Sequence, residues 1–331
     1  MPASAAPFVG REQEYAHILE HLRAPERRLI SVVGPGGAGK TRLAIECARA
    51  YAAEGGPRFP NGIALVPLAS LAPSEQLPAQ LATAIASALG LAPAPVQPAI
   101  GQLIDQLAGS ALLLILDNVE QVLPAAPALA ELLQGIPGLA ILATSRAPLH
   151  LRGEWCVTLA GLPFLPVSAQ SDQPLTPAAL EPFAASQLFV QTARMASPDF
   201  ALTDATAPAV AQICQLLEGL PLGIELAANW LRTLSCGELA AMLADDLDLA
   251  ASTTLDLDER QRSLRAVFDT SWRLLSTDKQ AALRKLAIFR GAFTRQAASE
   301  VAQVSLPELA ALIDTSLLRR ETGSAAATPG R

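Results

Sequence analysis

Gly34-Pro35-Gly36-Gly37-Ala38-Gly39-Lys40-Thr41 is the stretch on which the reading of this sequence turns. It fits G-x-x-x-x-G-K-[ST], the pattern of a loop that cradles phosphates. The run before it, Leu29 to Val33, is short, apolar and rich in β-branched residues, and the segment after it, Thr41 to Ala53, has helical character. Strand, glycine-rich loop and helix start thus follow one another in the order the chemistry needs. The glycines let the backbone curl until several N–H groups face one anion. The helix start adds the positive end of its dipole. Lys40 would neutralise the outer phosphates and Thr41 would set its hydroxyl on Mg²⁺. The candidate binding set is Gly34, Gly36, Gly37, Ala38, Gly39, Lys40, Thr41 and Arg42.

Two further elements belong with this loop. The buried-looking run Leu112 to Leu116 ends in Asp117-Asn118-Val119-Glu120. A carboxylate just past a buried strand is placed to hold Mg²⁺ through water, so Asp117 and Thr41 form the candidate metal set. Thr144-Ser145-Arg146 ends a later apolar run, Leu139 to Ala143. Carboxyl ends of parallel strands face the ligand crevice. An arginine there can reach a terminal phosphate and report its presence. Read alone, Arg146 also fits a solvated loop, and Asp117 alone fits a strand that ends in a turn residue equally well. The candidate catalytic set is Lys40, Asp117, Glu120 and Arg146.

Outward from these motifs, the first half alternates apolar strands with helices. Ile63 to Val66 and Cys156 to Leu159 read as strands; Gln76 to Leu89 and Ala125 to Leu133 read as helices. That alternation implies a parallel sheet covered on both faces. The expected layout is an α/β nucleotide-binding domain over 1–160 and a linker rich in Pro, Ser and Gln over 161–182. A helical domain follows over 183–250, then a further helical domain over 256–320 and a frayed tail over 321–331. Helices are expected at Phe183 to Ala193, Ala209 to Leu217, Pro221 to Leu234, Arg262 to Leu275, Asp278 to Phe289 and Pro307 to Ser316. Pro221 suits the first turn of its helix. Ser305 and Glu308 have capping-box spacing.

Bulk properties exclude several classes. The chain has 331 residues, 51% hydrophobic and 17% charged, with net charge -7. It can bury more than one core, and its acidic balance argues against gripping phosphate backbones of nucleic acid. No apolar run reaches membrane-spanning length. The start lacks the basic and apolar regions of a secretory signal, so a cytoplasmic location is expected. Cys47, Cys156, Cys214 and Cys236 lack metal-ligand spacing and read as reduced thiols packed as small hydrophobes. His17 and His21, one helical turn apart, read as part of a surface helix.

With loop, strand-end aspartate and strand-end arginine in this order, the chain resembles the STAND class of P-loop ATPases. More narrowly, it resembles the NB-ARC-like domains of bacterial (LuxR/AfsR-like) regulators. Phe8-Val9-Gly10-Arg11-Glu12 resembles the family's N-terminal motif, which implies that Val9, Gly10 and Arg11 line the adenine and ribose side. Ala143-Thr144-Ser145-Arg146 resembles its sensor 1 segment, and Gly219-Leu220-Pro221-Leu222 its GLPL motif, which implies that Pro221 approaches the adenine. Arg262 to Arg320 resembles its winged-helix domain. The resemblance also implies a sensor 1 strand between the other two motif-bearing strands. Its implied function is an ATP/ADP switch with Mg²⁺, coupled to domain rearrangement and to signalling or transcriptional regulation through protein partners or self-association. Such a switch needs a nucleotide that binds two arrangements unequally.

Two departures shape the expectation. Where many relatives carry a second acidic residue after the aspartate, this chain has Asn118, a poor base, with Glu120 as a substitute. Binding with slow or gated hydrolysis follows. The resemblance further implies a later histidine that senses a diphosphate, yet no histidine follows His150. Either the sequence is a fragment of a longer regulator or its nucleotide control is incomplete. The rival reading is an AAA+-like ATPase with steady turnover. A winged helix gripping DNA directly is disfavoured by the net charge.

Overall fold

The computed structural model describes residues 8–69, 71, 74–91, 99–167, 175–232, 234–245, 272, 275–289, 293–314 and 318. Contacts divide the chain into two compact units, Met1–Ser271 and Trp272–Arg331, each taken by itself. The end of the expected helical domain and the boundary after it (residues 246–261), all of the helix expected at 262–275 except Trp272 and Leu275, and the tail at 321–331 lie outside the described residues.

The first unit is built on a parallel sheet. Its strands are β1 (Leu29–Val33), β2 (Ile63–Pro67), β3 (Ala111–Asp117), β4 (Gly138–Ser145) and β5 (Glu154–Thr158). Their order is β2-β3-β4-β1-β5, with every pair parallel. The strand ending in Arg146's neighbour Ser145 therefore lies between the other two motif-bearing strands, as the resemblance implied. Side chains alternate across the sheet. Leu112, Leu114, Leu116 and Ile141 enter one core with Leu81, Ile85, Leu129 and Leu132. Leu113, Ile115, Ile30, Val32 and Leu142 enter the opposite core with Leu43, Cys47 and Ile18. A central strand buried on both faces must be apolar throughout, which is why Leu112 to Leu116 carries no polar residue.

Helices α1 (Glu12–Arg23) and α2 (Lys40–Ala53) cover one face. Helices α3 (Leu77–Ala88), α4 (Ala99–Gln106) and α5 (Ala126–Gly135) cover the other. No element was expected between Leu89 and Leu112, and α4 was missed; its start follows a proline-rich segment. Four more helices, α7 (Ala184–Ala196), α8 (Ala207–Leu216), α9 (Pro221–Asn229) and α10 (Cys236–Asp245), enclose a third core around Phe189, Ile213, Leu226 and Leu239. A single helical turn, α6 (Pro177–Leu180), lies within the stretch expected to link the domains. Pro221 sits at the first position of α9 as expected. The helix is shorter than its apolar repeat: after Asn229 it tightens into a 3₁₀ turn, Trp230–Arg232. Helix α10 was also missed, although Ser235 and Glu238 form a capping box at its start.

The described part of the second unit holds α11 (Thr277–Leu286), α12 (Arg295–Glu300) and α13 (Leu306–Asp314) around Ala282, Leu286, Ala298 and Leu312. Ser305 and Glu308 exchange the hydrogen bonds of the expected capping box. Among the described residues no helix is long and apolar enough to cross a membrane. Cys47, Cys214 and Cys236 are buried, whereas Cys156 is exposed on the edge strand β5, a correction to its expected place in a core.

Candidate functional site

The loop between β1 and α2 is pinned at both ends. The Gly34 amide donates to the Ser145 carbonyl at 3.2 Å, and the Leu43 amide donates to Gly39 at 2.9 Å, opening the helix. Gly37 has φ 79°, the left-handed region that glycine enters without strain, and a Cβ there would stand 2.9 Å from Leu222 Cβ. Lys40 is 9% exposed. Its Nζ donates to the carbonyls of Gly34 and Pro35, each at 2.9 Å. These partners are neutral. Burial accordingly pushes the Lys40 ammonium down to about 8, Glu120 pulls it back up, Arg146 lowers it and Asp117 raises it.

Thr41, the first residue after that lysine, donates through Oγ1 to Asp117 Oδ1 at 2.5 Å. Thr144 Oγ1 donates to the same oxygen at 2.6 Å and accepts the Asn118 amide at 3.1 Å. One carboxylate oxygen at the end of β3 thus gathers hydroxyls from the start of α2 and the end of β4. Sequence reasoning quoted Thr144 only as part of a motif and gave it no role. The available signal was a hydroxyl at a strand end in a sheet whose neighbouring strand ends in aspartate. Asn118 takes φ 66°, which turns the chain so that Val119–Gln121 forms a 3₁₀ turn carrying Glu120 back toward β4. Arg146 Nε lies 3.2 Å from Glu120 Oε1. Burial lowers the Arg146 guanidinium from its ordinary value and Glu120 offsets this.

Lys40, Thr41, Asp117, Glu120 and Arg146 are therefore brought to one end of the sheet. The remaining residues fall differently. Arg11 is buried, and its guanidinium donates to the Ala38 carbonyl at 3.3 Å and the Ala160 carbonyl at 2.5 Å. It ties the N-terminal motif to the loop. Gly10 presses against Ala184 of α7, and Val9 borders a cavity of about 560 Å³ shared with Leu180, Ser186 and Val190. The Arg42 guanidinium lies 3.7 Å from Glu225 of α9 and 5.9 Å from the centre of the Phe8 ring. Pro221 stands one residue before Leu222, whose amide donates to the Gly37 carbonyl at 3.2 Å.

The donor set suits a magnesium polyphosphate. An ammonium that donates to neutral carbonyls lies at the loop, and a hydroxyl and a carboxylate lie together there, the oxygen donors that a hard cation takes. His17 and His21 belong to a different face, where the His21 ring lies 5.2 Å from Trp155.

Comparisons with known proteins place the loop within a family domain. Residues 7–151 match the model of the AAA ATPase domain, which is a nucleotide-binding domain. The chain is 35% identical over 303 residues to the candidate HTH-type transcriptional regulator Rv0890c of Mycobacterium tuberculosis, covering 88% of this chain and 31% of that protein. It thus spans about a third of that relative's length. It is 35% identical over 300 residues to the uncharacterized protein Rv0894 of the same organism, covering 89% of this chain and 68% of the relative. Among solved structures, the STAND protein with a tetratricopeptide repeat sensor PH0952 from Pyrococcus horikoshii aligns at 15% identity and a TM-score of 0.40, covering 96% of this chain and 40% of that one. The chain belongs to the same protein family as Rv0894, and its residues 7–151 form an AAA ATPase domain.

Proposed function

We propose that this chain is a regulatory module that binds ADP or ATP with Mg²⁺ and relays the nucleotide's state to its helical region, within a protein that serves signalling or transcriptional control. The observation that carries the reading is the convergence of Thr41, Asp117 and Thr144 beside a lysine whose hydrogen-bond partners among the described residues are neutral carbonyls. In this reading the amides from Gly34 to Arg42 and the ammonium of Lys40 hold the phosphates. Thr41 and Asp117 hold the metal. When bound, Mg²⁺ supplies charge neutralisation across the phosphate oxygens. Arg146 reads the terminal phosphate. Val9, Gly10, Arg11 and Pro221 form the side toward the base, with Arg11 acting through the Ala38 carbonyl.

Asn118 cannot serve as a base, and Glu120 is engaged with Arg146. Both features support binding with slow hydrolysis over steady turnover. The helical domain over 183–250, the linker over 161–182, the winged-helix-like domain over 256–320 and the tail belong to the same proposal, as do protein partners or self-association. Direct nucleic-acid binding by this segment is not part of it. The likeness to Rv0890c supports a place in transcriptional regulation.

The test is calorimetric titration of the folded protein with MgADP and MgATP, beside mass spectrometry of nucleotide retained on purification. Micromolar or tighter binding that Lys40→Ala removes is expected. Intact protein that ignores both nucleotides sinks the proposal. Steady turnover on the order of 1 per second or faster replaces the switch with a working ATPase.

A further inference from the structure

Glu120 and Arg146 form an ion pair whose halves come from two neighbouring strand ends. Glu120 stands on the 3₁₀ turn after β3, and Arg146 follows the last residue of β4. The side chains are 8% and 14% exposed. Oε1 accepts from Arg146 Nε, while Oε2 is buried with no hydrogen-bond partner among the described residues. A carboxylate withdrawn this far from water is tolerated when a cation stands beside it. The pair is also close enough to Lys40 to act on it, Glu120 in one direction and Arg146 in the other.

Two cations and two carboxylates, Lys40, Arg146, Asp117 and Glu120, thus share one buried patch at the mouth of the loop. A diphosphate seated on the loop reaches Lys40. A triphosphate extends one phosphoryl group further toward the strand ends, adding charge that attracts Arg146 and repels Glu120. An arginine with a carboxylate on one side and a phosphate on the other exchanges one charge-assisted partner for another at small net cost.

We infer that Glu120 stands in for the terminal phosphate: it holds Arg146 while that phosphate is missing and releases it when a triphosphate arrives. The pair then sets the preference between di- and triphosphate. This rests on the proposed nucleotide site. Glu120 is thereby a positioning residue acting through Arg146, rather than the base that activates water.

The test is a thermodynamic cycle on the full chain, with ADP and β,γ-imido-ATP titrated in the presence of Mg²⁺. Glu120→Gln keeps the shape and removes the competing charge. It is expected to tighten binding of the imido-triphosphate about tenfold, within the usual range of coupling between sites, and to leave ADP within about twofold. Arg146→Ala reads the pair from its other side and is expected to weaken the triphosphate about tenfold or more, with ADP again within about twofold. Adding Glu120→Gln to Arg146→Ala should leave ADP unchanged and tighten the triphosphate by much less than the same change does in the parent, because only direct repulsion remains once the partner is gone. An unchanged ratio of the two affinities in Glu120→Gln overturns the inference. Lost hydrolysis of ATP with that ratio unchanged overturns it in favour of a base. A parent protein that binds neither compound overturns the nucleotide site itself, and with it the inference.

Discussion

The Leu222 amide donates a hydrogen bond to the Gly37 carbonyl at 3.2 Å, fastening the first turn of α9 to the phosphate loop. Leu222 Cβ also stands where a Cβ on Gly37 would fall, 2.9 Å away. Gly37→Ala therefore meets both an unfavourable φ and a neighbour that cannot retreat without moving α9. We expect a loss of roughly 2–4 kcal/mol in urea unfolding. Gly39→Ala has φ 89° with nothing within 4 Å of the new Cβ, and so only the backbone term, roughly 1–2 kcal/mol. Equal losses at the two positions would show that the contact with α9 is not tight.

Lys40 gives a pH dependence with a definite sign. Its ordinary value of 10.5 falls to about 8 in the folded protein. Between these values the unfolded chain holds a proton that the folded one has released, so stability without ligand rises as pH climbs from 8 toward 10.5. The cost of burying the charge, fully present below pH 8, is on the order of 3 kcal/mol. A polyphosphate favours the charged amine. Nucleotide affinity should then fall above pH 8, by up to about tenfold per unit, with proton uptake on binding. Calorimetry at pH 8.5 in buffers of different ionisation enthalpy measures that uptake. Its absence, or its survival in Lys40→Met, would contradict the assignment.

Thr144 is fully buried, and its hydroxyl serves both Asp117 and the Asn118 amide. Thr144→Val keeps the shape and strips both bonds. A loss of about 1–3 kcal/mol is expected, together with a weaker dependence of nucleotide binding on Mg²⁺. Thr144→Ser should restore both properties. A valine variant with parental stability and metal dependence would remove Thr144 from the site.

Arg11 separates charge from geometry. Its guanidinium reaches the carbonyls of Ala38, within the loop, and Ala160, just after β5. A lysine carries the same charge without the planar fork. Arg11→Lys and Arg11→Ala should therefore destabilise alike, by roughly 1–3 kcal/mol. Thermal melts of the two variants decide this; a lysine variant as stable as the parent would mean that charge alone matters.

The sheet was legible because its strands are short apolar runs, and the loop because its chemistry tolerates few alternatives. The span of β1 was read to the residue, since Arg28 and Gly34 bound it sharply. Helix α4 was hidden by a charge-free stretch with flanking prolines, where periodicity carries no contrast. Helix α10 was announced by Ser235 and Glu238, a signal present and overlooked. The contacts that join the loop to the helices, Arg42 with Glu225 and Leu222 with Gly37, depend on residues far apart in the chain. Local spacing holds no record of such pairs. Thr144 escaped for the same reason: its importance comes from lying beside Asp117 across two strands.

The crossing of residues 161–162 with 218–219 constrains how this molecule can move. The Leu162 amide bonds the Gly219 carbonyl at 2.7 Å. A side chain on Gly161 would lie 1.8 Å from the Glu218 carbonyl oxygen, and one on Gly219 2.0 Å from that of Leu162. The stretch leaving β5 is thus not a slack tether but a strap buckled onto the turn ahead of α9. A rotation of α7 to α10 away from the sheet has to unbuckle that strap. While it stays fastened, the sheet and these helices travel together.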